Sequence, residues 1–237
     1  MTTMRYCPDC GTQILPGAAF CATCGRRLRE SADPGTGIAP ASENYGQAVT
    51  ADLRYRISLN RIFLMTFLTY GLYLFYWFYL TWKQYRDHTR EEAFPVWHAL
   101  TLVVPIYGLF RTHAHARIFR ELMTNRGLMT TISPGLAVAA VVASSALSWS
   151  TFGLSWGDMT LAAALTTTVI EILSIAIVAW LLMRLQDNLN NYWHEVSSGR
   201  LIDARIGVGE VIFAVIGGLA WLDTLATLFS ESYRLDI

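Results

Sequence analysis

Residues 132–149, 161–183 and 207–229 are three apolar runs almost free of charge. A helix needs roughly 20 such residues to cross a hydrocarbon core about 30 Å thick. This feature bounds the fold before any motif is read: the chain is expected to be mainly α, a polytopic helical membrane protein. Composition agrees, with 53% hydrophobic and only 15% charged residues, where a soluble domain carries about 25% charged. The formal net charge is zero, so no basic field marks the chain for nucleic acid.

Two more apolar stretches fit a span less well. Residues 59–82 are long enough but carry Gly71 near the centre and the aromatic run LYLFYWFYLTW, which suits the headgroup interface. Residues 96–110 are short and contain Pro105 and Gly108. The two stretches echo each other at 69–73 and 106–110, and each leads into a polar helical segment. Arginine placement narrows their topology, because basic residues concentrate on the cytoplasmic side. If all five stretches span from a cytoplasmic N-terminus, ten near-membrane basic residues lie inside and four outside. If the first two instead dip in and return, the balance becomes thirteen against one. A single crossing would put the basic segment 111–131 outside, so both stretches span or both re-enter. Either way the N-terminus is expected in the cytoplasm of a bacterial cell, with the chain in the inner membrane.

All four cysteines lie ahead of these stretches, as Cys7-x2-Cys10 and Cys21-x2-Cys24 separated by ten residues. Two such knuckles complete a tetrahedral thiolate site and form a zinc signature. Gly11 and Gly25 follow the knuckles and allow the turn that aims backbone N–H groups at sulfur. Ile14, Leu15 and Phe20 are too small a core to fold alone, so the metal is expected to supply about 10 kcal/mol or more. No apolar core precedes the cysteines, so no signal peptide is expected. A reducing compartment then favours metal-bound thiolates over disulfides. Four cysteines close the coordination shell, so the expected cofactor is structural Zn2+ rather than a catalytic metal. The residues Cys7-Pro8-x-Cys10-Gly11, Pro16-Gly17-x-x-Phe20-Cys21 and Cys24-Gly25 resemble the short zinc ribbons found at the ends of bacterial membrane and regulatory proteins. That resemblance implies a docking or regulatory role without naming a partner.

The chain therefore divides into a zinc ribbon (1–28), a flexible Gly-, Pro-, Ala- and Ser-rich linker (29–52), paired aromatic-rich segments with amphipathic helices (53–131), and three transmembrane helices with a cytoplasmic amphipathic helix between the last two (132–237). The pattern Thr69-x-Gly71-x-Tyr73-x-x-x-Trp77, preceded by Arg61 and an apolar run, resembles the bacterial domain-of-unknown-function 4234 family. Members pair aromatic-rich hydrophobic segments, sometimes behind a zinc ribbon. The resemblance covers residues 55–125 and implies architecture but no activity.

The acids Glu171 and Asp223 stand out within apolar runs. An ionisable group at that depth is costly unless paired or wetted. The functional reading is a proton or ion relay; the plain one is a hydrogen bond that ties helices together. Glu210 and Asp158 sit at helix starts, where the helix dipole favours acids. Gly135, Ala139 and Ala143 form a small-residue face for close packing within the chain or between copies. The segment 110–126 is expected to be a basic amphipathic helix lying on the membrane, with Phe110, Ala114, Ile118 and Leu122 on one face, Arg111, His115 and Arg117 on the other, and Gly127 as its stop. In 185–197, Leu185, Leu189, Tyr192 and Val196 are expected to face the membrane, with Asp187, Asn188, Asn191 and Glu195 in water. His113 and His115 do not share a helix face, and His88, His98 and His194 lack partners at ligand spacing, so no histidine metal site is expected. No nucleophile elbow, Walker, zincin or dinucleotide pattern is present, and the chain is not expected to be an enzyme. The reading is an integral membrane protein whose cytoplasmic ribbon docks a protein partner as scaffold, adaptor or regulator. The alternative is a small transporter or channel component using Glu171. Membrane lipid and a protein partner are the expected contacts, with a homo-oligomer open and nucleic acid not expected.

Overall fold

The computed structural model describes residues 54–152, 159–199 and 201–235, together with strand residues 5–6 and 13–14. Contacts divide the chain into two units, 1–48 and 49–237. In the first, β1 (Arg5–Tyr6) pairs antiparallel with β2 (Gln13–Ile14). Cys7, Cys10, Cys21, Cys24, the 29–52 linker and Asp158 lie outside the described residues.

The second unit opens on β3 (Arg54–Arg56), which pairs parallel with β4 (Leu201–Asp203). Arg56 donates to Asp203 at 2.5 Å. Helix α1 (Leu59–Leu68) begins where Ser58 accepts the N–H of Arg61. It stops at Tyr70 and Gly71, both left-handed with φ of 55° and 84°. Helix α2 (Tyr73–Thr89) then turns back, its first N–H bonded to Thr69 Oγ1 at 2.8 Å. The two helices form a hairpin. Ile57, just before α1, exchanges hydrogen bonds with Asn190, the tip lies beside Ile175, and His88 near the end of α2 bonds Tyr192. The chain thus enters and leaves at one level of the long helix that carries these three partners.

A second hairpin follows. Helix α3 (Pro95–Leu100), a short 3-10 turn (Thr101–Val103) and α4 (Pro105–Thr124) each start or turn at proline-compatible positions. His98 stacks on Trp82, whereas His115 meets Thr81 and Phe119 lies by Tyr85. So α3 runs against α2 and α4 runs with it. Gly127, at φ 72°, ends α4 through Leu128 N–H to Met123 O, as expected. The echo between 69–73 and 106–110 is not a structural repeat: the first is a left-handed turn and the second lies inside α4.

Among the described residues, three helices are long and apolar enough to cross a membrane: α5 (Pro134–Phe152), α6 (Leu161–Val196) and α7 (Val208–Phe229). A short α8 (Glu231–Leu235) closes the chain. This is a polytopic helical membrane protein. Helix α6 has 36 residues, about 54 Å at 1.5 Å per residue. It exceeds the bilayer core, and its second half projects beyond the apolar part to meet the hairpins.

Three expectations need correcting. The segment 185–197 is not a separate helix but the continuation of α6, and Leu185, Leu189 and Tyr192 are buried in protein rather than lipid. Its polar Asn188 is also buried, tied to Thr130 and Thr131. Much of the aromatic run is core rather than a headgroup girdle: Tyr73, Trp77 and Phe78 are at most 1% exposed, while Phe75, Tyr76 and Tyr79 are half-buried. On α4 the packed face is Thr112, His115, Ala116, Phe119 and Met123, and Phe110 is exposed. On α5 the small residues packed within the chain are Ala137, Ala140 and Ser144; Gly135, Ala139 and Ala143 face outward, the side that packing between copies would use. In 185–197 the expected apolar stripe is the buried one but its partner is protein, whereas on α4 the packed face is rotated from the expected stripe.

Candidate functional site

Glu171 sits ten residues into α6, about 15 Å along its axis and so near the middle of a bilayer core about 30 Å thick. The tip of the first hairpin reaches the same depth. Tyr70, held left-handed there, donates its hydroxyl to Glu171 Oε2 and lies 3.2 Å from Thr224 Oγ1 on α7. A non-glycine residue with positive φ costs about 1–3 kcal/mol and persists only where its surroundings over-determine it. Here Trp221 does so. Its Nε1 donates to Phe67 O at 2.7 Å and its ring lies against Tyr70 at 4.9 Å.

A cleft of about 320 Å³ opens beside this pair, lined by Tyr70, Gly71, Ser144, Ser145, Ser148, Trp149, Thr151, Glu171, Ser174, Ile175 and Val178. Ser148 and Ser174 bond at 2.9 Å, and Ser174 also reaches Ser144 O at 3.0 Å. The site therefore joins one carboxyl group to a wall of hydroxyls supplied by α5, α6 and the hairpin tip. Its open side runs past the exposed Ser145, Ser148 and Trp149.

Asp223 is not part of it. Its carboxylate is exposed and accepts from Tyr233 at 2.5 Å. The two acids singled out in the sequence are thus kept apart. The residues missed were Tyr70, Ser144, Ser148, Ser174 and Thr224. Ser144 and Ser148, one helical turn apart in an apolar run, were a legible signal, whereas Tyr70 was not, because only the hairpin brings it to α6.

Residues 6–28 match the zinc-ribbon domain family. The chain is a membrane protein with an N-terminal zinc-ribbon-like domain. The match lies within the first unit, and its four cysteines make Zn2+ the ion that such a domain would take. Comparison with curated proteins gives no match, and comparison with solved structures gives none.

Two other polar clusters are structural. Glu210 is fully buried and receives a forked interaction from Arg61, with Nε at 3.1 Å and Nη2 at 2.5 Å. It also accepts from Tyr73 and from the Gly207 N–H, both at 3.0 Å. The acid read as a simple helix-start residue therefore locks both arms of the hairpin to α7. His115 is 1% exposed, bonded to Thr81 at 2.9 Å and stacked on Phe78. Burial, with the charge of His98 adding to it, pushes its imidazole down to about 3. Among the described residues, no group of three or more His, Cys, Asp or Glu could hold a metal.

Proposed function

We propose that the protein is an adaptor of the bacterial inner membrane. Its zinc ribbon, in the cytoplasm, docks a protein partner, and its helical unit anchors the complex. The observation that carries this reading is the zinc-ribbon match on a unit separate from the membrane helices. Cys7, Cys10, Cys21 and Cys24 would hold structural Zn2+, giving the ribbon a fixed surface that its few apolar residues cannot provide alone.

In this reading the two hairpins enter the membrane from one side and return to that side without crossing. Support comes from the shared level of Ile57, Asn190, His88 and Tyr192 on α6, and from the arginine balance. The residues behind the resemblance to the domain-of-unknown-function 4234 family have work in this arrangement. Thr69 and Gly71 make the tip, Tyr73 and Arg61 hold Glu210, and Trp77 donates to Gln186 at 2.7 Å. Membership would then rest on a hairpin signature rather than on a catalytic one.

The test is a crosslinking pull-down from native membranes with the intact chain and a Cys7→Ser, Cys10→Ser variant. A protein captured only by the intact form identifies the partner. Identical captures by both forms would overturn the docking role.

A further inference from the structure

The cleft at Glu171 has a chemistry that the docking role does not use. We propose that it binds one small monovalent cation, in exchange for the proton of the Glu171 carboxyl group.

The donors define the ligand. The polar side chains lining the cleft are one carboxyl, one phenol, four serine hydroxyls, one threonine hydroxyl and the Trp149 indole, with no imidazole or thiol. Oxygen donors of this kind suit hard cations. One carboxylate balances one positive charge, whereas divalent calcium sites usually gather several acids. Among the described residues, no lysine, arginine or histidine forms an ion pair with Glu171. At mid-bilayer a lone carboxylate is costly, so the site stays neutral overall with either a proton or one cation in place. The exchange balances: the O–H bond of Glu171 breaks, the proton leaves to water, and the cation takes its place on the carboxylate. A volume of about 320 Å³ leaves room for an ion with several waters, each about 30 Å³.

The geometry also says which residues position the carboxylate. Tyr70 donates to one of its oxygens, and Thr224 lies behind Tyr70. The Ser148–Ser174 pair supplies the facing hydroxyls. Tyr70 is thus a positioning residue, and the serine pair would be ligands.

Dicyclohexylcarbodiimide, an apolar reagent that adds to protonated carboxyl groups, tests this on the full-length protein in detergent. Peptide mass spectrometry reads labelling at Glu171, with Glu210, paired to Arg61, as an internal comparison. Labelling is expected in choline chloride. Sodium at ten times its dissociation constant, at equal ionic strength, is expected to slow it about tenfold, because occupied sites cannot react. Glu171→Gln is expected to lose the label while retaining its helical circular dichroism. A Ser148→Ala, Ser174→Ala variant is expected to keep the label and lose the sodium protection. Equal labelling in sodium, lithium, potassium and choline would overturn the proposal, as would no labelling at Glu171 in choline. Protection by calcium as strong as by sodium would overturn the assignment to a monovalent ion.

Discussion

Single side chains in this protein do work that their neighbours in sequence do not announce. Glu210 lies at a helix start and would be stable there from the helix dipole alone, yet it is buried and anchored by Arg61, Tyr73 and Gly207. Replacing one member of a buried ion pair strands the other, at about 3–5 kcal/mol. Glu210→Gln is therefore expected to lower unfolding stability in detergent by that amount, while Asp223→Asn, at an exposed acid, is expected to leave it within about 0.5 kcal/mol. His115 adds a pH dependence of definite sign. Its folded value of about 3 lies below the unfolded 6.5, so the unfolded state binds the extra proton. Stability is expected to be intact above pH 6.5 and to fall by about 1.4 kcal/mol per unit below it. Thermal melts between pH 7 and 4 check this, and His115→Gln is expected to flatten the slope relative to the unaltered chain.

At the scale of elements, the first hairpin depends on glycine at two points for different reasons. Gly71 has φ 84°, and a methyl group there would meet only Ile175, at 3.8 Å. Gly71→Ala is thus expected to cost about 1–2 kcal/mol from backbone strain alone. At Gly217 on α7 a Cβ would overlap the backbone of Thr69 and Leu68, which cannot yield as a side chain does. Gly217→Ala is expected to be worse than Gly71→Ala and to push the tip away from α7. Limited proteolysis around residues 67–72, compared across the two variants, distinguishes strain from displacement.

The whole molecule places every loop between the hairpins at the end of α6 that bears Asn190 and Tyr192, while α8 lies at the other end, where Arg234 O accepts from Met159 N–H. An impermeant maleimide applied to intact cells is expected to label Ser232→Cys and to miss Glu92→Cys and Asn125→Cys. Labelling of Glu92→Cys from outside would mean that the first hairpin spans. Cell fractionation in the same experiment checks the inner-membrane assignment.

The order of segments along the chain was determined locally. The apolar runs that became α5, α6 and α7, the stop at Gly127 and the spacing of the four cysteines each follow from composition or periodicity within a short window. What surrounds each face was decided only in three dimensions. Leu185, Leu189 and Tyr192 have the period of a membrane-facing stripe, and so does the stripe on α4, because burial against lipid and burial against a neighbouring helix impose the same pattern. Only the return of α2 along α6 shows that the partner is protein. The outward run of α1 along α6 carries Tyr70 across 101 positions of sequence to Glu171, joining a turn residue and a lone acid that periodicity could not connect.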